Sequence, residues 1–339
     1  MRGAVAVITN KNNTLLELKN VKKHFPITSG FFRKVTGYVR AVDGVTLDVK
    51  KGETLGIVGE SGCGKTTLGK TILRLCSLTG GEIRLKAVDS GEMKGLQDLD
   101  KRESFEARRR IQMVFQNPYA SLNPMKNILS AFDEPMKIHS LGNKQERKNK
   151  IAEMLETVNL QPDYMYRFPH EFSGGQQQRI SIAKALAMNP EVIVCDEPVS
   201  ALDVSIQSQI MNLMRKLQKG YNLTYIFIAH DLSVVQYMSD RIAVMYLGKI
   251  VEVAEAVEFH NNCLHPYTMA LLSAVPMPVV GAKSERIILK GDVPSPVNPP
   301  KGCKFHPRCY KCIDICKEKE PALKPSDTNP DHLVACHLR

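Results

Sequence analysis

Gly59-Glu60-Ser61-Gly62-Cys63-Gly64-Lys65-Thr66-Thr67 fits G-x-x-x-x-G-K-[ST], the pattern of a phosphate-binding loop that joins a strand to a helix. Leu55, Ile57 and Val58 precede it as a short apolar strand, and Leu68 to Leu75 follow with helical spacing. Glycines let successive backbone N–H groups curl around one anion, and the N-terminus of the helix adds partial positive charge. Lys65 is placed to reach terminal phosphates, and the Thr66 hydroxyl to ligate Mg²⁺. Gly59, Ser61, Gly62, Cys63, Gly64 and Thr67 complete the set expected to face the nucleotide.

Outward from this loop, 339 residues leave room for one large domain with an appendix, or for two domains. No apolar run approaches the 18 or so residues that cross a bilayer, and the apolar patch from Met1 to Ile8 is too short for a signal segment. The expectation is a cytosolic chain that reaches a membrane through a partner. Net charge is +11, from 46 Lys and Arg against 35 Asp and Glu. The basic clusters, Arg108-Arg109-Arg110 and Lys144 to Lys150, read as solvated helix faces. With no Trp and 6% aromatic residues there is little to stack on bases, so nucleic acid is not expected as a partner.

Strand-like patterning covers residues 14 to 22 and 45 to 58, with a loop or hairpin expected from Pro26 to Tyr38. Further strands are expected at Glu82 to Lys86, Ile111 to Phe115, Val192 to Cys195 and Leu223 to Ala229, and a hairpin around Gly248. Residues 92 to 110 read as charged helix or loop, 124 to 160 as one helical stretch, and Val204 to Leu217 as a helix. Strands alternating with helices imply a layered α/β core with a partly parallel sheet. From Pro276 to Pro300 the chain is rich in Pro and Gly, which predicts a linker or extended wrap.

Several strand ends carry chemistry. Asp196 and Glu197 close the Val192 strand, as a Mg²⁺ ligand and a proton acceptor for an attacking water would. His230 ends the Leu223 strand and suits a donor to a γ-phosphate; Gln116 ends the Ile111 strand and suits Mg²⁺ or the lytic water. Ser173-Gly174-Gly175-Gln176 opens a helix with a hydroxyl cap and exposed N–H groups, a second anion-binding device. One triphosphate does not need two such devices from one chain, so the second suits the nucleotide of another chain.

The ordered set of phosphate loop, Gln116, Ser173 to Gln176, Asp196-Glu197, Ser200-Ala201-Leu202-Asp203 and His230 resembles an ATP-binding cassette (ABC) ATPase over about residues 14 to 255. The resemblance implies an α/β nucleotide-binding domain over 1–260, with a RecA-like core, an antiparallel β subdomain and a helical subdomain at about 117–190. It also implies a head-to-tail dimer with ATP and Mg²⁺ sandwiched between the loop of one subunit and the signature of the other. Glu197 would be general base, Thr66, Gln116 and Asp196 would hold Mg²⁺, and Asp203 would couple the two sites. An aromatic stacks on adenine in this family, and Phe25 fits best, with Tyr38 as the fallback.

Phe115 to Pro124, Asp196 to Ser205, His265-Pro266-Tyr267-Thr268, Gly291 to Pro296 and Gly302 to Cys309 are similar to oligopeptide/dipeptide importer ATPases of the F type. Implied partners are a second, different ATPase subunit, two transmembrane permease subunits and an extracytoplasmic peptide-binding protein. The implied location is the cytoplasmic face of the membrane. A nickel or other small-solute importer of the same group stays open as cargo, and a soluble non-transport ABC ATPase is the rival class.

Five of nine cysteines fall in the last 37 residues, inside the 261–339 extension: Cys303, Cys309, Cys312, Cys316 and Cys336. A terminal cluster in a reduced compartment reads as metal ligation rather than as disulfides. Cys309-x2-Cys312 makes one zinc-type pair, and unliganded thiols are the plain alternative. The family resemblance points to a [4Fe–4S] cluster on Cys303, Cys309, Cys316 and Cys336.

Overall fold

The computed structural model describes residues 13–275 and 286–339. The Met1 to Ile8 patch lies outside the described residues, as does the 276–285 part of the expected linker; Arg286 to Pro300 carries neither helix nor strand. The chain divides into two compact units. The first holds the residues up to Lys50, Thr54–Gln97 and Ala229–Arg339, and the second holds Lys51–Glu53 and Asp98–Ile228. Among the described residues no helix is long and apolar enough to cross a membrane.

The first unit carries an antiparallel sheet in the order Lys34–Lys50, Thr14–Ser29, Gly80–Lys86, Met93–Gly95. Leu16, Leu18 and Val21 and their neighbours Val45, Leu47 and Val49 are buried. Each such side chain contributes about 1.5–3 kcal/mol. The segment from Pro26 to Tyr38 is a hairpin, but its strands run further than the patterning suggested, turning only at Gly30 to Arg33. Ile27, Val35 and Val39 favour the extended backbone there, and the Arg33 N–H donates to Gly30 O at 3.1 Å to close the turn.

A second run of strands in this unit is ordered Lys324–Pro325, Leu333–Val334, Lys249–Glu255, Arg241–Tyr246, Thr54–Val58. Thr54–Val58 and Arg241–Tyr246 are parallel and buried along their whole length. Continuous apolar runs of this kind suit a parallel sheet covered on both faces. The two short strands Lys324–Pro325 and Leu333–Val334 come from the Cys-rich tail, and nothing in its composition announces them. Leu333–Val334 pairs antiparallel with Lys249–Glu255, extended by Ala335 N–H to Val251 O at 2.8 Å.

The second unit has three parallel strands, Ile111–Val114, Val192–Asp196 and Thr224–Ile228. Its helices are Lys101–Arg110, Ile128–Ile138, Lys144–Thr157, Gly174–Leu186 and Val204–Tyr221, with a single turn at Pro118–Ser121. The stretch from 124 to 160 is two helices rather than one. Ser140 and Gly142 take positive φ (53° and 79°), and the Asn143 side chain accepts from the N–H groups of Gln145 and Glu146, capping the new helix. Residues 92 to 110 split into Met93–Gly95 and an Asp100-capped helix. The basic clusters find acidic neighbours within the unit: Arg109 with Glu106, Arg110 with Glu191, Arg147 with Asp133 and Lys150 with Glu153.

Candidate functional site

In the first unit the phosphate loop follows Thr54–Val58 and ends in the helix Lys65–Ile72, whose cap is Gly64. Gly64 has φ 109°, and a Cβ there would lie 2.0 Å from Ala41 O. Gly59 is as constrained, since its Cβ would lie 2.1 Å from Met245 O. No side chain fits either place, so the curl of the backbone depends on these glycines. Lys65 is 6% exposed. Its Nζ donates to Gly59 O at 2.7 Å and to Glu60 O at 3.1 Å, with Cys63 Sγ at 3.8 Å. The ammonium is thereby held over the loop.

In the second unit Asp196 ends its strand almost fully buried. Glu197 follows with φ 47°, a left-handed backbone that costs a non-glycine residue about 1–3 kcal/mol. Contacts hold it from either side: its N–H donates to Ile228 O at 2.8 Å, its carbonyl accepts from Ser200, and Oε2 accepts from Gln116 Nε2 at 2.8 Å. The strand ends carrying Gln116 and Glu197 therefore do meet. The Thr66 hydroxyl, the Asp196 carboxylate and the Gln116 amide oxygen are hard oxygen donors, which is the chemistry Mg²⁺ takes.

Ser173 caps Gly174–Leu186 with a full capping box: Oγ accepts from Gln176 N–H at 3.4 Å and Gln176 Oε1 accepts from Ser173 N–H at 3.0 Å. Gly175 admits the neighbouring helix, since a Cβ would stand 2.7 Å from Ile206 Cγ2. Asp203 is the N-cap residue of Val204–Tyr221 and makes no side-chain capping bond. Phe25 and Tyr38 lie on paired strands of the first unit, 37% and 49% exposed, with Lys23 Nζ 4.8 Å from the Phe25 ring centroid. His230, also in the first unit, is exposed.

Among the described residues no three His, Cys, Asp or Glu side chains stand together as a metal-holding group, so Cys303, Cys309, Cys316 and Cys336 present no formed ligand shell for a cluster or for zinc. Burial pushes the Cys303 thiol up to about 11 and raises Cys309 and Cys336 as well. Metal ligation needs thiolates, so binding there would be coupled to loss of the thiol protons. The four are still near enough for their charges to act on one another.

Sequence reasoning left Glu60 out of the loop's functional set and gave Tyr267 and Arg308 no role. The Glu60 N–H donates to Tyr267 Oη at 2.9 Å. Arg308 donates twice to the Glu60 carboxylate, from Nη1 at 2.7 Å and Nη2 at 3.1 Å. The only signal was the presence of Tyr267 and Arg308 in motifs that carry the resemblance.

The family described as ABC transporter matches residues 42–200, and the one described as oligopeptide/dipeptide transporter, C-terminal region, matches residues 251–316. The chain is 55% identical over 327 residues to the oligopeptide transport ATP-binding protein AppF of Bacillus subtilis (strain 168), covering 96% of this chain and 97% of that one. It is 45% identical over 330 residues to the dipeptide transport ATP-binding protein DppF of Haemophilus influenzae, covering 96% and 97%. Among solved structures, the ATP-binding cassette MJ0796, a dimer in a post-hydrolysis state bound to ADP and Pi, superposes with a TM-score of 0.61 at 32% identity, over 71% of this chain and 99% of that one. With its loop, acidic strand end and signature helix on an ABC cassette fold, the chain belongs to the ABC transporter ATP-binding proteins of the oligopeptide/dipeptide group and is an ATPase of that family.

Proposed function

We propose that the chain is the ATP-hydrolysing subunit of an importer of di- or oligopeptides, bound peripherally at the cytoplasmic face of the membrane. What carries this reading is the match of residues 251–316 to the C-terminal region of oligopeptide/dipeptide transporters, beyond the general cassette match at 42–200. In this reading the cassette occupies 1–260, with its helical part at about 117–190, and 261–339 is the extension that marks the group. Its partners are a second, different ATPase subunit, two permease subunits and an extracytoplasmic peptide-binding protein. Tyr119 to Ile128 supplies the surface that meets the permease.

Residue roles follow from the chemistry. Backbone N–H groups of the Gly59 to Thr67 loop other than that of Glu60, which Tyr267 takes, and the Lys65 ammonium hold the phosphates, and Phe25 stacks on adenine. Mg²⁺, when bound by Thr66, Gln116 and Asp196, neutralises phosphate charge. Glu197 takes the proton of the attacking water, Gln116 keeps that carboxylate aimed, and His230 donates to the γ-phosphate. Ser173, Gly174, Gly175 and Gln176 cap the nucleotide held by the partner subunit, and Asp203 passes the state of one site to the other.

The test is uptake of labelled di- and oligopeptides, with nickel uptake in parallel, in cells lacking this chain. Peptide uptake should disappear and return with the wild-type chain but not with Glu197→Gln. Peptide uptake that persists while nickel uptake fails would move the chain to the small-solute importers. Purification without permease subunits, with both uptakes intact, would favour the soluble class.

The tail supports a second reading because its buried thiols lie within electrostatic reach of one another. A [4Fe–4S] cluster on Cys303, Cys309, Cys316 and Cys336, or zinc in its place, would staple a short extension that has few large apolar residues. Anaerobic purification with iron and zinc analysis and a visible spectrum decides this, and colourless protein free of both metals would remove both readings.

A further inference from the structure

Glu60, the second residue of the phosphate loop, is held at its N–H, at its carbonyl and at its carboxylate. Lys65 inside the loop takes the carbonyl, at 3.1 Å. The other two holds come from the C-terminal extension, through Tyr267 at the N–H and Arg308 at the carboxylate. All of these residues belong to one compact unit.

The residues doing the holding are themselves fixed. Tyr267 is fully buried, with its ring 4.7 Å from Tyr246 and 5.3 Å from Phe305 between centroids. Phe305 is 1% exposed, and the Arg308 N–H donates to its carbonyl at 3.0 Å, closing the turn that presents the guanidinium. The Arg308 side chain is 9% exposed and that of Glu60 27%, so the pair is largely screened from water.

A further path leads from the extension to the other side of the loop. Lys304 Nζ pairs with Asp43 Oδ2 at 2.5 Å, the Asp43 N–H donates to Gly248 O at 2.8 Å, and the Gly248 N–H donates to Cys63 O at 2.8 Å. The extension thus grips residue 60 directly and residue 63 through two intermediaries, Asp43 and Gly248.

A glycine-rich loop is compliant by composition, yet phosphate binding needs its N–H groups aimed before the ligand arrives. A two-point guanidinium–carboxylate contact gives geometry as well as energy, which a lone point charge does not. We infer that Arg308 and Tyr267 are positioning residues of the nucleotide site, and that the extension sets the loop's affinity for ATP by holding Glu60. The inference rests on the chain being an ABC ATPase and is independent of its cargo.

The experiment uses the full-length chain. A fluorescent ATP analogue is titrated with Mg²⁺ against wild type, Arg308→Gln, Glu60→Gln, the double variant, Arg308→Lys and Tyr267→Phe, and ATP turnover is followed for each. Each single removal of the ion pair should weaken nucleotide binding by about 5- to 30-fold and raise KM with little change in kcat. The double variant should be no worse than either single one. Arg308→Lys should recover part of the affinity, and Tyr267→Phe should lose part of it. Affinities within twofold of wild type in both single variants, or losses that multiply in the double, would overturn the inference. Should Arg308→Gln fail to fold, the swapped pair Arg308→Glu with Glu60→Arg decides: recovered affinity supports it and unrecovered affinity refutes it. A wild-type chain that bound no nucleotide would instead strike the ATPase assignment, and the two failures are told apart by that control.

Discussion

Glu197 sits at a left-handed backbone position with its carboxylate against the Gln116 amide. In the role proposed for it, exchanging the carboxylate for an amide of the same shape removes the proton acceptor and leaves the loop untouched. Glu197→Gln should bind nucleotide like wild type while phosphate release falls about 10²- to 10⁴-fold, as loss of a general base does. Stopped-flow or coupled phosphate assays beside nucleotide titration check both halves. At the loop, a methyl group on Gly64 would meet Ala41 O at 2.0 Å with the backbone at φ 109°. Gly64→Ala should reduce nucleotide affinity by about tenfold or more, because each misaimed N–H forfeits a charge-assisted bond of about 1.5–3 kcal/mol. At this scale much was legible. Glycine spacing and acids at strand ends are local patterns with one chemical use, whereas the strain at Glu197 depends on what surrounds it.

Helix ends were partly legible. Ser173 caps its helix with its hydroxyl, as its sequence suggests, while Gln176 completes a capping box that was not read and the helix already starts at Gly174. Asn143 caps the helix Lys144–Thr157 in the same way. Asn143→Ala should cost about 1 kcal/mol by removing an acceptor from two helical N–H groups. Urea unfolding reads that cost as a lower midpoint with unchanged slope. The break at residues 139 to 143 went unread because the stretch from 124 to 160 has few breakers and many Lys and Glu, good helix formers on either side of it. What ends the first helix is the positive φ at Ser140 and Gly142 and the competing cap at Asn143. Hairpin strands were under-read from the opposite side: Thr28, Ser29, Lys34 and Thr36 look like loop residues but continue the ladder as Thr28–Val35 and Ser29–Lys34 pairs.

Across the first unit, the Cys-rich tail is worked into the sheet and anchored on a carboxylate with no exposed surface. Glu252 accepts from the Leu264 and His265 N–H groups at 2.6 and 3.0 Å, and pairs with His332 Nε2 at 2.7 Å. Glu252→Ala would strand these partners, and a loss of about 3–5 kcal/mol is expected, read as a lower Tm and early proteolysis of the tail.

Acid should loosen the same region in two windows. Burial holds His265 down to about 4 from its usual 6.5, so the unfolded chain binds the extra proton and stability falls as pH drops from about 6.5 to 4. Burial pushes the Asp43 carboxyl up, but Lys304, Lys249 and His24 outweigh it and hold it at about 2. Its contribution is present above its usual 3.8 and is lost as pH falls toward 2. Tm measured against pH should therefore slope through both ranges, and Asp43→Asn should flatten only the lower one.

By itself the sequence determined the α/β pattern, the phosphate loop, the acidic strand end, the capped signature helix and the family, because each is written in residues close together in the chain. Only the tertiary structure decided that Tyr267 and Arg308 hold Glu60, a partner 248 positions from Arg308, that tail strands extend a sheet, and that burial raises the Cys303, Cys309 and Cys336 thiols. An arginine in a chain with 35 acidic residues has many possible partners, and a thiol's pKa depends on burial. Both are set by distance in space, which spacing along the chain does not encode.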